Sequence, residues 1–278
     1  MSGKTFAEYE RDGWERNASD YDEIDLPATG QAIDPLLESL GNLKGQRLLD
    51  IASGTGHLAK AAVARGATVV GIDVATNMVE LARKLVPGAT FQEGNGEALP
   101  FEDETFSAVA CSFGLLHMAQ PETAVQEVAR VLRPGGTFAF TVWYGPDNGS
   151  EFFRLLLGTY QELADMNVDL PPARPLFALS DSAVYEPMLR RSGFQDINGR
   201  SLAIVWPLRG PKTVFDFATK GAVRTRMLYE RQSHDVQQRI RDALVEKTIP
   251  YMRDGKNGIP CPVALVTARK PWSPPGRR

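Results

Sequence analysis

Cysteine, histidine and long apolar runs are all scarce in this 278-residue chain, and each shortage closes off a class of function. The two cysteines, Cys111 and Cys261, cannot supply a four-thiolate zinc site. No His-Glu-x-x-His, Cys-x-x-Cys or helically spaced histidine pair occurs, so the sequence offers no metal centre, although a magnesium-dependent site stays open. Cys111 lies in a strand-like apolar run, which predicts a reduced, packed thiol and a cytoplasmic protein. No run approaches the ~18 apolar residues of a transmembrane helix. The opening stretch MSGKTFAEYERDGWERNASDYDE has no apolar core, so no secretory signal and no membrane association are expected. Charge is nearly balanced, at a net -3, which gives no reason to expect a nucleic-acid partner. Internal repeats, low-complexity tracts and a Walker-type phosphate loop are also missing.

What is present is an ordinary globular composition, 43% hydrophobic and 23% charged. From Gln46 to Tyr144, short β-branched runs alternate with helical stretches. RLLDIA precedes HLAKAAVARG, TVVGID precedes ATNMVELARKL, and FSAVACSF precedes PETAVQEVARVL; an RPGG turn then leads into TFAFTVW. Such alternation means right-handed βαβ units and a doubly wound α/β fold with a parallel sheet. The rhythm breaks after Tyr144. A loop and helix are predicted over 145–166, no clear period over 168–180, and a helix from an Asp181 cap to Gly193. One strand is expected within 195–208, mostly helix over 211–253, and a last strand in CPVALVTARK. The organisation expected is an N-terminal helical cap segment (1–45), a cofactor-binding core (46–145), cap insertions with the last two strands (146–270), and a disordered tail (271–278). Residues 200–256 carry 12 Lys/Arg against 6 Asp/Glu; a solvated helical face or a surface for an acidic substrate would each account for that excess.

The stretch LLDIASGTGHLA, Leu48 to Ala59, reads as a buried strand, a glycine turn and a helix. Gly54 and Gly56 let backbone N–H groups approach a ligand, and such turns sit at the carboxyl ends of strands where open α/β sheets bind ligands. Asp73 follows Gly54 by 19 residues, the place for a carboxylate that accepts from an adenosine ribose. NAD and other adenosine ligands fit these features equally. Asp50 separates them. A dinucleotide would set its pyrophosphate beside that carboxylate and be repelled, whereas S-adenosylmethionine would present an ammonium to it.

Residues 46–144 resemble the class I S-adenosylmethionine-dependent methyltransferases, in particular the group acting on small molecules. The first motif of that family stands here as Leu49-Asp50-Ile51-Ala52-Ser53-Gly54-Thr55-Gly56, with Ala52 replacing a glycine and so expected at negative φ. Gly71-Ile72-Asp73 matches the second motif, with Val74 and Met78 implied against the adenine. Gly94-Asn95-Gly96-Glu97-Ala98-Leu99-Pro100-Phe101 matches the third, with Asn95 in place of the aspartate that accepts from the adenine amino group; an amide carbonyl can accept that bond too. ACSFGLLHM, containing Ser112 and His117, and VLRPGG complete the match. The resemblance implies a seven-stranded, mostly parallel Rossmann-like sheet with an antiparallel last strand and a helical cap. It further implies S-adenosylmethionine as cofactor and a role of the kind met in secondary metabolism. GWERNASDYD resembles the cap over the cofactor, with Tyr21 closing on its methionine end.

Methyl transfer needs positioning more than proton chemistry, and a base only where the acceptor is protonated. His117, in the loop after the fourth strand, is the base candidate, with packing against the cofactor as the plainer role. His57 reads as structural and His234 as solvent-facing. Trp14, Trp143 and Tyr144 are expected to line the substrate side, and Trp206 also flanks the site. Arg224 and Arg226 could bind an acidic group or simply be solvated. A small-molecule acceptor is therefore expected, while acceptor atom, scaffold and oligomeric state, a homo-oligomer included, stay open. Two other readings remain: a cyclase, isomerase or binding protein that keeps the cofactor, and an NAD(P)-dependent oxidoreductase.

Overall fold

Thr5 and Glu8 start the first helix by capping each other. The Thr5 hydroxyl accepts from Glu8 N–H at 3.3 Å while the Glu8 carboxylate accepts from Thr5 N–H at 2.7 Å. The computed structural model describes residues 4–253 and 258–272. Three helices come first, α1 (Phe6–Ile24), α2 (Leu26–Thr29) and α3 (Ile33–Ser39). The alternating core follows: β1 (Arg47–Ile51), α4 (His57–Ala64), β2 (Thr68–Asp73), α5 (Thr76–Leu85), β3 (Thr90–Glu93), β4 (Phe106–Ser112), α6 (Pro121–Val131) and β5 (Leu132–Trp143). Then come α7 (Glu151–Leu163), α8 (Ser182–Arg191), β6 (Gln195–Leu202), β7 (Val205–Pro207) and α9 (Thr213–Asp216). A π-turn (Phe217–Gly221) leads into α10 (Val223–Glu230), α11 (His234–Thr248), β8 (Gly258–Pro260) and β9 (Val263–Arg269).

The sheet order is β3-β2-β1-β4-β5-β9-β6. β1 to β5 pair in parallel, and β9 runs antiparallel between β5 and β6. The expected seven-stranded sheet is thus present, with its last strand reversed. Strand order turns between β1 and β4, so the carboxyl ends of β1, β2 and β4 open onto one crevice. The central strands are buried on both faces, as their nearly continuous apolar runs require. Gly71 in β2 is needed for packing, because a Cβ there would lie 2.5 Å from the Phe91 ring and 3.0 Å from Ser53 Cβ.

Two local expectations change. The RPGG segment is drawn into β5, which starts at Leu132 and pairs with β4 through a register shift between Phe106 and Ala108. The single strand expected within 195–208 divides: β6 ends its pairing with β9 at Leu202, and β7 pairs with β8 in a separate two-stranded sheet. That small sheet anchors the cap. Trp206, 1% exposed, stacks on Phe152 at 4.1 Å and 9°, and meets Trp143 at 5.6 Å and Phe217 at 4.5 Å. Trp206 therefore packs inside the cap rather than on a ligand surface. Of the tail expected to be disordered, residues 273–278 lie outside the described residues.

Candidate active site

The floor of the crevice is the turn leaving β1. Ala52, Gly54 and Gly56 all have positive φ, at 55°, 52° and 92°. The negative φ expected at Ala52 is wrong: the chain must curl left-handed there to bring its amides round, and alanine bears the strain. A Cβ in that region costs about 1–2 kcal/mol, partly offset by the greater freedom of glycine in the unfolded chain. Ala52→Gly is therefore expected to raise the melting temperature by roughly 2–4 °C, checked by thermal denaturation. Gly56 faces helix packing instead of the cavity, since a Cβ on it would lie 3.0 Å from that of Ala82.

Two carboxylates border this turn. Asp73, buried at the end of β2, accepts from Gly54 N–H through Oδ2 and from Ala75 N–H through Oδ1, both at 2.9 Å. Burial raises its carboxyl above the usual range and the two amides pull it back. Asp50 is 1% exposed, its Oδ2 has no hydrogen-bond partner, and burial together with the Asp73 charge pushes it up to about 8. The Ser53 hydroxyl beside it is likewise buried without a partner. Asp50 and Ser53 line a small side cavity shared with Tyr21, Thr29, Gly54 and Ser112, next to the main one.

One wall of the main cavity comes from the loops after β2 and β3. Val74, Met78, Asn95, Gly96 and Glu97 all line it. Asn95 Oδ1 accepts from Glu97 N–H at 2.9 Å, and Glu97 Oε1 accepts from Ala119 N–H at 2.8 Å, tying this loop to the one after β4. Gly96 is hemmed in: a Cβ would meet Met118 Cε at 2.7 Å and Ile51 Cγ2 at 3.0 Å.

The roof is α1. Its Glu10, 7% exposed, accepts from Trp14 Nε1 at 3.1 Å and bonds His117 Nδ1 at 2.9 Å, while the Trp14 and His117 rings meet edge-on at 4.9 Å. Tyr21 reaches Thr29 Oγ1 at 3.3 Å, and burial raises its phenol. Further along, Asp22 accepts from Thr55 Oγ1 at 2.6 Å and meets His57 Nε2 at 3.0 Å, which accounts for His57 as a structural residue. Asn17 donates to Gly221 O at 3.2 Å, and Glu15 receives Asn77 N–H at 3.1 Å. The roof is thus fixed to both the core and the cap.

Ser112, Phe113, His117 and Trp143 close the far side, with Phe113 stacked on Trp143 at 4.2 Å. Trp14, Tyr21 and Trp143 all line the main cavity. Tyr144 does not, and its expected place on the substrate side is corrected: the next residue along the chain turns to the opposite layer, where it packs with the cluster around Tyr185. Arg224 donates to Pro171 O, and Arg226 bonds Glu230 and Asn17, so both serve the cap. His234 is exposed at the start of α11, as expected. Among the described residues no lysine or arginine lines the cavity, whereas Glu10, Asp25, Asp73 and Glu97 do. The sequence pointed to neither Glu10 nor Asp25; for Glu10 the four-residue spacing to Trp14 on one helix was an available signal. Among the described residues no cluster of three or more metal-ligand side chains occurs.

Residues 49–140 match the model of a methyltransferase domain family. This segment is similar to methyltransferase domains. The chain is 35% identical over 114 residues to the demethylmenaquinone methyltransferase of Renibacterium salmoninarum, covering 41% of this chain and 48% of that protein. The uncharacterized methyltransferase YcgJ of Bacillus subtilis is 33% identical over 138 residues, covering 48% of this chain and 54% of YcgJ. The chain thus spans about half the length of the curated relatives it matches. The fold is shared more widely. The crystal structure of YcgJ superposes with a TM-score of 0.57 at 18% identity over 88% of this chain and all of that one. The [4+2]-cyclase SpnF superposes with a TM-score of 0.55 at 24% identity, covering 87% of this chain and 81% of SpnF. The motifs around Asp50, Asp73 and Asn95 all fall within the matched segment, and α1 and the cap lie outside it.

Proposed function

We propose that this chain binds S-adenosylmethionine and moves its methyl group to an O, N or C nucleophile of a small, largely apolar molecule, as an enzyme of secondary metabolism in the cytoplasm. The observation that carries the reading is the pair of unpartnered buried atoms at the glycine turn, Asp50 Oδ2 and Ser53 Oγ. Buried polar atoms are almost always paired, and a carboxyl here suits an ammonium and repels a pyrophosphate. Asp73 keeps a free lone pair on each oxygen for ribose hydroxyls, Asn95 Oδ1 keeps one for an adenine amino group, and Val74 and Met78 supply apolar contact. Four carboxyl side chains and no lysine or arginine among the described lining residues suit a ligand with net positive charge.

When bound, the cofactor supplies an electrophilic methyl group on a sulfonium. The protein's share is alignment and exclusion of water, and aligned reactants lower the barrier by several kcal/mol. The aromatic rings of Trp14, Tyr21, Phe113 and Trp143 face the cavity and suit a cation and a flat acceptor. His117 is the proposed base. Its Nδ1 is engaged by Glu10, which leaves Nε2 as the acceptor nitrogen of the neutral ring. Both thiols are free and buried, and burial pushes each up to about 12, so neither is offered as a nucleophile.

Calorimetric titration with S-adenosylmethionine, S-adenosylhomocysteine and NAD tests the cofactor. Binding of the first two in the micromolar range, weakened at least about tenfold in Asp73→Ala, is expected; binding of NAD alone would return the chain to the dehydrogenases. Release of S-adenosylhomocysteine during turnover separates methyl transfer from a relative that keeps the cofactor without consuming it.

A further inference from the structure

Of the four carboxyl groups facing the main cavity, three are engaged. Glu10 holds Trp14 and His117, Glu97 holds Ala119 N–H, and Asp73 holds two backbone amides. Asp25 is different. It is 4% exposed, it lines the cavity at the end of α1, and its Oδ2 has no hydrogen-bond partner. Only its backbone serves the fold: the N–H donates to Tyr21 O, and the carbonyl accepts from Ala28 N–H, Thr29 N–H and Thr29 Oγ1. A buried carboxyl that caps nothing and pairs with nothing is a cost to folding. The surrounding chain nevertheless makes room for it: a Cβ on Gly221, the last residue of the π-turn, would lie 2.9 Å from Asp25 Oδ2. Such π-turns recur at functional sites.

The cofactor's amino group already has Asp50 and Ser53 in the side cavity, so Asp25 is a second anionic position, on the side of the cap. Tyr21 and Trp143 line the same cavity, and among the described residues no lysine or arginine does. We propose that Asp25 is the residue that recognises the methyl acceptor, and that the acceptor is an amine on a flat, apolar skeleton whose N–H the Asp25 carboxyl accepts. This rests on the methyl-donor reading given above. Burial, and after it the Asp20 charge, raise the Asp25 carboxyl well above the usual range, which favours its protonated form in the empty cavity. An arriving neutral amine takes that proton, carboxylic acid and amine becoming carboxylate and ammonium. The proton must return to Asp25 to free the nitrogen lone pair, and His117 Nε2 takes the proton that the methylated nitrogen then releases.

The test uses the full chain saturated with S-adenosylhomocysteine. It is titrated by calorimetry with 2-phenylethylamine and tryptamine as probe amines, and with 2-phenylethanol and phenylacetate as neutral and anionic matches. Asp25→Asn and Asp25→Ala are measured beside the wild type, with melting curves to confirm folding; the side chain has no partner to lose. At least about tenfold tighter binding of an amine than of the alcohol is expected, with phenylacetate excluded. Both variants should lose at least about tenfold in amine affinity while binding S-adenosylhomocysteine within about twofold of wild type. Unchanged amine affinity in the variants, preference for phenylacetate, or no binding of either amine to the wild-type complex would overturn the assignment. A matching loss of S-adenosylhomocysteine affinity would move Asp25 to the cofactor site and overturn it as well. If the wild type fails to bind S-adenosylhomocysteine at all, it is the methyl-donor reading that falls.

Discussion

Asp50→Asn is expected to melt higher than the wild type at pH 8 when no ligand is bound, and to bind S-adenosylmethionine more weakly. The native carboxyl of Asp50 sits at about 8, raised first by burial and then by Asp73, against an ordinary value near 3.9. The folded state therefore holds a proton that the unfolded state has released between about pH 4 and pH 8, and stability falls as pH rises through that window. Below about pH 4 the group costs nothing; above about pH 8 the loss is complete. Asparagine keeps the shape without the titration. The two proteins should melt together near pH 4 and diverge by a few kcal/mol at pH 8, a gain of roughly 5–10 °C. Ligand binding reverses the order, because removing one member of a buried charged pair costs about 2–5 kcal/mol. The measurement is a pair of melting series, from pH 4 to pH 9, with and without S-adenosylmethionine. A variant that melts lower than wild type at pH 8 without ligand would show that Asp50 is held charged by the protein and is not waiting for a cation.

The second large effect is expected at His117. Its replacement by alanine should lower kcat by about 10²–10⁴ while leaving cofactor affinity within about threefold, the range found when a general base is removed. Glu10→Gln should give a smaller loss, because an amide can still bond Nδ1 but no longer selects the tautomer that leaves Nε2 free to accept. The split matters. If KM for the acceptor rises with kcat intact, His117 is a wall that packs on substrate, and the base reading is gone.

What the sequence made legible is what local chemistry decides. Nearly continuous apolar runs at Leu48–Ile51, Val69–Ile72 and Phe106–Cys111 read as strands buried on both faces, and Gly54, Gly56 and Asp73 mark the turn by spacing alone. The sign of φ at Ala52 was not legible, because alanine there carries no hint that the turn overrides its preference. The division of the 195–208 stretch into two strands is set by partners more than 50 residues away, at Val263 and Pro260, and has no local signature. Tyr144 was misplaced by counting it with Trp143, although the two fall in different layers. Glu10 and Asp25 escaped because one is defined by a contact 107 residues distant and the other by a buried side-chain oxygen without a hydrogen-bond partner.

Asp73 has a consequence for how this domain can change over time. Its carboxylate bridges the amides of Gly54 and Ala75, so it joins the loops that follow β1 and β2 whether or not a nucleoside is present. A descendant that abandoned its chemistry would still lose loop order by replacing this residue, and purifying selection would retain it. Persistence of the acidic residue in such a lineage would then record the demands of folding. Decay of a catalytic activity would surface first at positions such as Asp25 and His117.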